Sequence, residues 1–217
     1  MKPKGVIFDF DGVIVDSLAL HLRAWDTASR RLFGTTVTEP DRLAGRSTNA
    51  IASILANENN KPSSADELAN LKRDELNRGS GPVPIFPGVP EVFAKLRSEN
   101  IPFGIASNAP RHFILQALTD LRLEADIIVG IEDAPRPKPF PDPFLLCAAR
   151  LAIAIDDHAG ITVYEDSRHG LGAAKKAGMI PIGVTSQHPA HELLESGAVK
   201  TCAHLRDALD RGYFDKI

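Results

Sequence analysis

Two aspartates, Asp9 and Asp11, stand two positions apart at the end of an apolar run, and Gly12 follows them. Glycine permits a sharp exit from a strand, which would let both acids face one pocket. Two carboxylates held that close are unfavourable unless a proton or a cation stands between them. Three further polar features follow apolar or proline-rich stretches: Ser107-Asn108, Lys138 and Glu165-Asp166. Several carboxylates with only oxygen donors for company favour a hard cation such as Mg²⁺. Ser107 can donate to a phosphate oxygen, and Lys138 supplies a point positive charge for a phosphoryl group and for the carboxylate that attacks it. Asp9 can serve as a nucleophile, because aspartyl-phosphate chemistry divides one hard step into two. Asp11 can protonate a leaving oxygen and later take a proton from water. Taken singly, these groups read as an acidic turn, a helix cap, a solvated lysine and a loop. Their joint occurrence, in order, at successive strand ends is what argues for a site.

The elements needed to position them can be read from periodicity. Val6-Ile7-Phe8 is the apolar run of a buried parallel strand. A helix is expected over 17–33, where Leu18, Leu22, Trp25, Ala28 and Leu32 recur at helical steps and Ser17 is placed to cap. Further helices are expected over 40–57 and 64–78, the latter opened by a Ser64/Glu67 capping box. No clear strand lies between residues 14 and 81. Gly79-Ser80-Gly81-Pro82-Val83-Pro84 reads as a linker. With residues 14–17 it would form a two-stranded hinge for a helical insert.

Beyond the linker, helices and strands alternate. Strands are expected at 103–106, 127–129, 161–164 and 180–184. Helices are expected over 90–98, from Pro110, from Asp142-Pro143 to about residue 151, over 168–177, and near 189–196 and 203–211. Such alternation implies a parallel sheet covered by helices on both faces, with the carboxyl ends of its strands along one edge. The site would then collect Asp9, Asp11, Ser107, Lys138, Glu165 and Asp166.

The chain has 217 residues, 43% of them hydrophobic, and a formal net charge of -3. That suits one large domain, or one domain carrying a smaller one. Nothing in the charge points to nucleic acid or an anionic membrane as a partner. Cys147 and Cys202 lack metal-ligand spacing and read as reduced thiols of a cytoplasmic protein. The apolar run behind Met1-Lys2-Pro3-Lys4 is too short for a signal peptide or membrane span. A monomer is the default expectation. His188 and His191 have helix-ligand spacing without a third ligand and read as surface residues, and His169 fits either a pocket rim or solvent.

Asp9-Phe10-Asp11-Gly12-Val13, Ser107-Asn108, Lys138 and Glu165-Asp166-Ser167 resemble, in order and spacing, the four motifs of the haloacid dehalogenase superfamily. The branch resembled is that of the β-phosphoglucomutase-like hydrolases with a small helical cap. The resemblance implies a Rossmann-like core over 1–16 and 84–217 and a helical-bundle cap over 17–83. It implies Asp9 as nucleophile, Asp11 as general acid and base, and Mg²⁺ held by Asp9, the Asp11 backbone carbonyl and Asp166, with Glu165 near or ligating. Dehalogenases of the superfamily lack a carboxylate at the place of Asp11, which favours phosphate esters here. Phosphonate-cleaving relatives use a cap lysine, and neither Lys61 nor Lys72 sits in a recognisable context for that role.

In the cap, His21-Leu22-Arg23-Ala24-Trp25 is similar to a stretch in which the His supports the acid/base region and the Trp faces the sugar side. Trp25 would equally serve as core packing. Leu43-Ala44-Gly45-Arg46-Ser47 resembles the specificity loop, but the mutases carry lysine in place of Ala44 and arginine in place of Thr48. Arg46 could clamp a phosphate in bidentate fashion or lie on the surface. Asn108, Arg46, His21 and Trp25 are thus the candidate substrate and phosphate contacts. The expected function is a Mg²⁺-dependent phosphatase acting on a small phosphorylated metabolite, a sugar phosphate by resemblance. The alternatives are a phosphosugar mutase and a receiver-type signalling module. Cap closure over the site is expected to exclude water.

Overall fold

A computed structural model describes residues 2–38, 43, 48–78 and 83–215. Its sheet has six parallel strands in the order β3-β2-β1-β4-β5-β6. They are β1 (Gly5–Phe8), β2 (Phe103–Ala106), β3 (Ile127–Val129), β4 (Ile161–Glu165), β5 (Ile180–Val184) and β6 (Lys200–Cys202). The expected α/β class with a Rossmann-like parallel sheet is what the chain adopts. The order reverses between β1 and β4, the crevice where open α/β sheets of this winding bind ligands. β1 lies against β2 and β4 with Phe8 opposite Ile105 on one side and Tyr164 on the other.

All four β1 residues are buried, as expected for a central strand covered on both faces. Successive side chains take opposite faces. Ile7 and Val163 join Ala106, Val129, Phe144 and Cys147 in one core. Phe8 and Tyr164 start an aromatic stack on the other face, where Phe8 lies 5.6 Å from Phe93 and Tyr164 lies 5.0 Å from Phe214 between ring centroids.

The helices of this unit are α4 (Val89–Ser98), α5 (Arg111–Asp120), α6 (Asp142–Arg150), α7 (Arg168–Lys176), α8 (Ala190–Glu195) and α9 (Leu205–Asp210). α6 begins at Asp142 itself, with Pro141 at the cap, one position earlier than a helix capped by Asp142 and opened by Pro143 would begin. β4 runs one residue further than expected and ends on Glu165. β6 was not expected: Lys-Thr-Cys is three residues long with no apolar run, and it forms by pairing with β5.

Backbone contacts divide the chain into two compact units, Met1–Asp16 with Pro84–Ile217, and Ser17–Val83. The described regular elements of the second unit are helices: α1 (Leu18–Phe33), α2 (Thr48–Glu58) and α3 (Ala65–Arg78), with a 3-10 turn at Pro62–Ser64. Trp25, Ala28, Leu43, Ile51, Ala52, Leu55, Leu68 and Ala69 form its core.

Two caps differ from expectation. Ser17 stands at the N-cap of α1 in a helical conformation and makes no side-chain capping bond. Ser64 belongs to the 3-10 turn that runs directly into α3, so it is not the non-helical residue a capping box needs. α2 begins at Thr48; the first part of the expected 40–57 helix, other than Leu43, and residues 79–82 of the expected linker lie outside the described residues. Among the described residues, no helix is long and apolar enough to cross a membrane.

Candidate active site

Asp9 continues β1 beyond its last residue, and its N–H donates to Tyr164 O at 2.9 Å. That places its carboxyl at the crevice between β1 and β4, beside Glu165 and Asp166. Asp9, Glu165, Asp166, Lys138 and Ser107 are all buried. Lys138 Nζ donates to Asp9 Oδ1 at 2.8 Å and to Glu165 Oε1 at 2.5 Å. Carboxylate oxygens of Asp9, Glu165 and Asp166 lie within 4.8 Å of one another. Gly12, at φ +80°, lets the chain turn here, and a Cβ at that position would stand 1.9 Å from Asp166 Oδ2. Only glycine tolerates both the conformation and the approach.

Each charged group is held by neighbours. The Asn108 amide grips the Lys138 backbone on both sides: Nδ2 donates to Lys138 O at 3.2 Å and Oδ1 accepts from Lys138 N at 3.0 Å. Arg136 forks onto Asp142 at 3.0 and 2.9 Å and covers the Phe140 ring at 4.4 Å, which pins the segment carrying Lys138 to the start of α6. Glu165 Oε2 accepts from both the N–H and the hydroxyl of Ser167 at 2.9 Å. Ser167 Oγ in turn accepts from Gly170 N and caps α7. A Cβ on Gly170 would stand 1.9 Å from the Glu165 carboxyl, so the helix approaches the site closely. Ser186 Oγ donates to Asp166 Oδ2 at 3.3 Å.

The electrostatics follow from three buried carboxylates facing one ammonium. Burial pushes Asp9 up to about 7 against the opposing pull of Lys138, and Glu165 and Asp11 push the same way as burial. Burial, then the Glu165 and Asp9 charges, hold Asp166 well above the usual carboxylate range. Burial disfavours the Lys138 charge, but Asp9 and Glu165 outweigh it and keep the ammonium charged. The pocket therefore carries surplus negative charge that binding a proton or a cation would relieve. Oxygen donors from three carboxylates fit a hard divalent ion.

The remaining candidates are placed as follows. Asp11 is half-buried, and its charge bears on both Asp9 and Asp166. Ser107 extends β2, with its N–H on Val129 O at 3.0 Å and its Oγ accepting from Ala109 N at 3.1 Å. Both ends of the Asn108 amide are engaged by the Lys138 backbone, which makes it a brace for that lysine. In the helical unit, His21 Nδ1 lies 3.0 Å from Lys72 Nζ. Trp25 is 2% exposed within that unit's core, with Lys72 Nζ 5.5 Å from its ring centroid, so packing is the reading the structure gives it. Arg46, with most of the expected specificity loop, lies outside the described residues. His188 pairs with Glu192 at 3.3 Å; among the described residues the carboxylate trio is the one metal-competent group, and neither His188 nor His191 belongs to it. Ser186, Gln187 and Arg136 were missed, since polar residues in loops carry no periodic signal.

Comparison with known proteins agrees with this arrangement. A family described as haloacid dehalogenase-like hydrolase matches residues 6–184. The chain is 34% identical to β-phosphoglucomutase of Bacillus subtilis, over 86% of this chain and 85% of that protein. It is 30% identical to hexitol phosphatase B of Escherichia coli, over 82% of each. A haloacid dehalogenase hydrolase of Entamoeba histolytica superposes with a TM-score of 0.78 at 26% identity, covering 99% of this chain and 98% of the other.

Proposed function

The chain belongs to the haloacid dehalogenase-like hydrolase family, and from that premise we propose that it is a Mg²⁺-dependent phosphatase of a small phosphorylated metabolite, a sugar or sugar-alcohol phosphate. The observation that carries this reading is the buried Asp9–Lys138–Glu165 pairing with Asp166 alongside. Asp9, Asp166 and Glu165, with the Asp11 carbonyl, would hold Mg²⁺. The ion would supply charge neutralisation at the phosphoryl oxygens.

In this reading, an Asp9 carboxylate oxygen attacks phosphorus and the bond to the leaving oxygen breaks. Asp11 gives that oxygen its proton. Asp11, now a carboxylate, takes a proton from water as the water attacks the aspartyl-phosphate, which frees inorganic phosphate and restores Asp9. Lys138 opposes the negative charge of Asp9 and of the incoming phosphoryl group. Ser107 donates its hydroxyl to a phosphoryl oxygen.

A mutase is the second reading, favoured by the 34% identity to a β-phosphoglucomutase. It differs only in whether water or a second substrate hydroxyl receives the phosphoryl group. The absence of lysine at Ala44 and of arginine at Thr48 supports the hydrolase.

The test is Mg²⁺-dependent phosphate release from sugar and sugar-alcohol phosphates, including fructose 1-phosphate and β-glucose 1-phosphate, with Asp9→Asn as the control. Free phosphate from wild type and none from Asp9→Asn is the expected result. Rapid glucose 6-phosphate formation with little free phosphate would assign a mutase. Retention of one phosphate on the protein without turnover would assign a receiver. Turnover by clean Asp9→Asn would remove Asp9 as nucleophile.

A further inference from the structure

Asp166 is braced by a loop that carries none of the recognisable motifs. Residues 185–189 join β5 to α8. At the near end, the Thr185 N–H and hydroxyl both donate to Cys202 O, at 2.9 and 3.4 Å. The anchor is therefore the unexpected edge strand β6. At the far end, His188 Nδ1 lies 3.3 Å from Glu192 Oε2, which also accepts from Arg168 Nη2 at 2.7 Å. α7 and α8 thus fix that end together.

Between these anchors, Ser186 presents its hydroxyl to Asp166 Oδ2 at 3.3 Å. Gln187 Nε2 comes within 3.1 Å of the point where a Cβ on Gly12 would stand, the same point that lies 1.9 Å from Asp166 Oδ2. The Gln187 amide and the Asp166 carboxylate therefore approach each other over the Gly12 backbone, with the Ser186 hydroxyl on the same Asp166 oxygen. The Ser186 hydroxyl donates on the Oδ2 side of Asp166, where it bears on how the carboxylate is turned toward Asp9 and Glu165.

We propose that Ser186 is a positioning residue whose hydroxyl orients the Asp166 carboxylate and thereby sets the affinity of the Asp9–Glu165–Asp166 cluster for a divalent cation. The inference rests on the cation reading given above. Groups that orient a metal-ligating carboxylate contribute to affinity although they do not touch the ion. A buried carboxylate left without its donor also keeps the cost of desolvation.

The experiment is titration of the purified full-length protein with Mn²⁺, followed by electron paramagnetic resonance of the free ion. Wild type, Ser186→Ala, Ser186→Thr and Asp166→Asn are compared. Ser186→Ala is expected to raise the dissociation constant about tenfold, and Ser186→Thr, which keeps the hydroxyl, to stay within about threefold of wild type. Asp166→Asn is expected to lose binding. Thermal unfolding of the metal-free proteins is measured in parallel; a merely structural serine would shift that transition and leave Mn²⁺ affinity alone. Equal affinity in wild type and Ser186→Ala, with binding lost in Asp166→Asn, overturns the role of Ser186 and leaves the cation site standing. Equal loss in Ser186→Ala and Ser186→Thr overturns it in favour of local packing. Undiminished binding by Asp166→Asn overturns the cation reading itself.

Discussion

At the scale of single residues, the site is a balance between burial and compensation. Asp9 has its carboxyl raised from 3.8 to about 7, first by burial, and Asp166 is raised as well. A carboxyl whose folded pKa exceeds its unfolded value binds protons more tightly in the fold. In the metal-free protein, stability contributed by the Asp9 proton is present at low pH and is lost as pH rises from about 4 through about 7. A divalent cation competes with those protons. The increase in melting temperature on adding saturating Mg²⁺ should therefore be small near about pH 5 and large near about pH 8, where Asp9 has passed its value of about 7. Calorimetric scans at both pH values check this, and an equal Mg²⁺ shift at both would contradict it. Asp9, Asp11, Lys138, Glu165 and Asp166 were legible in the sequence because each follows an apolar strand or a proline-rich turn. Asn108 was legible as a site residue but not as a brace, since its bonds to the Lys138 backbone depend on two loops meeting in space. Ser186 had no such signal: it interacts with Asp166 through a single side-chain bond across two loops.

At the scale of elements, the sheet is clamped by unlike cores on its two faces. The face of Ile7 and Val163 is largely aliphatic, with the Phe144 ring among its buried side chains. The face of Phe8 is a chain of rings, with Phe8 stacked on Tyr164 at 5.5 Å, tilted against Phe93 at 5.6 Å, and edge-on to Phe103 at 6.4 Å. Phe8 immediately precedes Asp9, so the packing that holds the ring also fixes where the carboxyl emerges. Phe8→Ala is expected to cost about 3–5 kcal/mol in urea unfolding. A loss below about 1 kcal/mol would mean that the neighbouring rings close the gap. The short apolar strands β1 to β5 and the helices between them were readable from their apolar runs, helical periodicity and bounding prolines and glycines. β6 was not, because three residues with one apolar side chain are selected by the open edge of β5 and by nothing in their own pattern. The same limit explains Ser64. Its spacing to Glu67 matches a capping box, but Pro62 starts a 3-10 turn upstream and draws Ser64 into it.

At the scale of the whole molecule, each of the two units builds hydrophobic packing of its own. The sheet unit contains every member of the buried carboxylate cluster, and the helical unit has its own core around Trp25, Leu55 and Leu68. Damage to the second core should leave the chemistry of the first intact. Leu68→Ala, at a fully buried position, is expected to destabilise the helical unit by about 2–5 kcal/mol. Mn²⁺ affinity of the carboxylate cluster should remain at the wild-type value. A parallel fall in Mn²⁺ affinity, measured by the same titration as above, would show that the two cores are energetically coupled. The chain's single tryptophan, Trp25, lies in the helical unit, and both tyrosines, Tyr164 and Tyr213, lie in the sheet unit. Nature has thus given each unit its own chromophore. Tryptophan emission excited at the red edge reports on one, and the tyrosine bands of the second-derivative near-ultraviolet spectrum on the other, so the unfolding of both can be followed in one unlabelled sample.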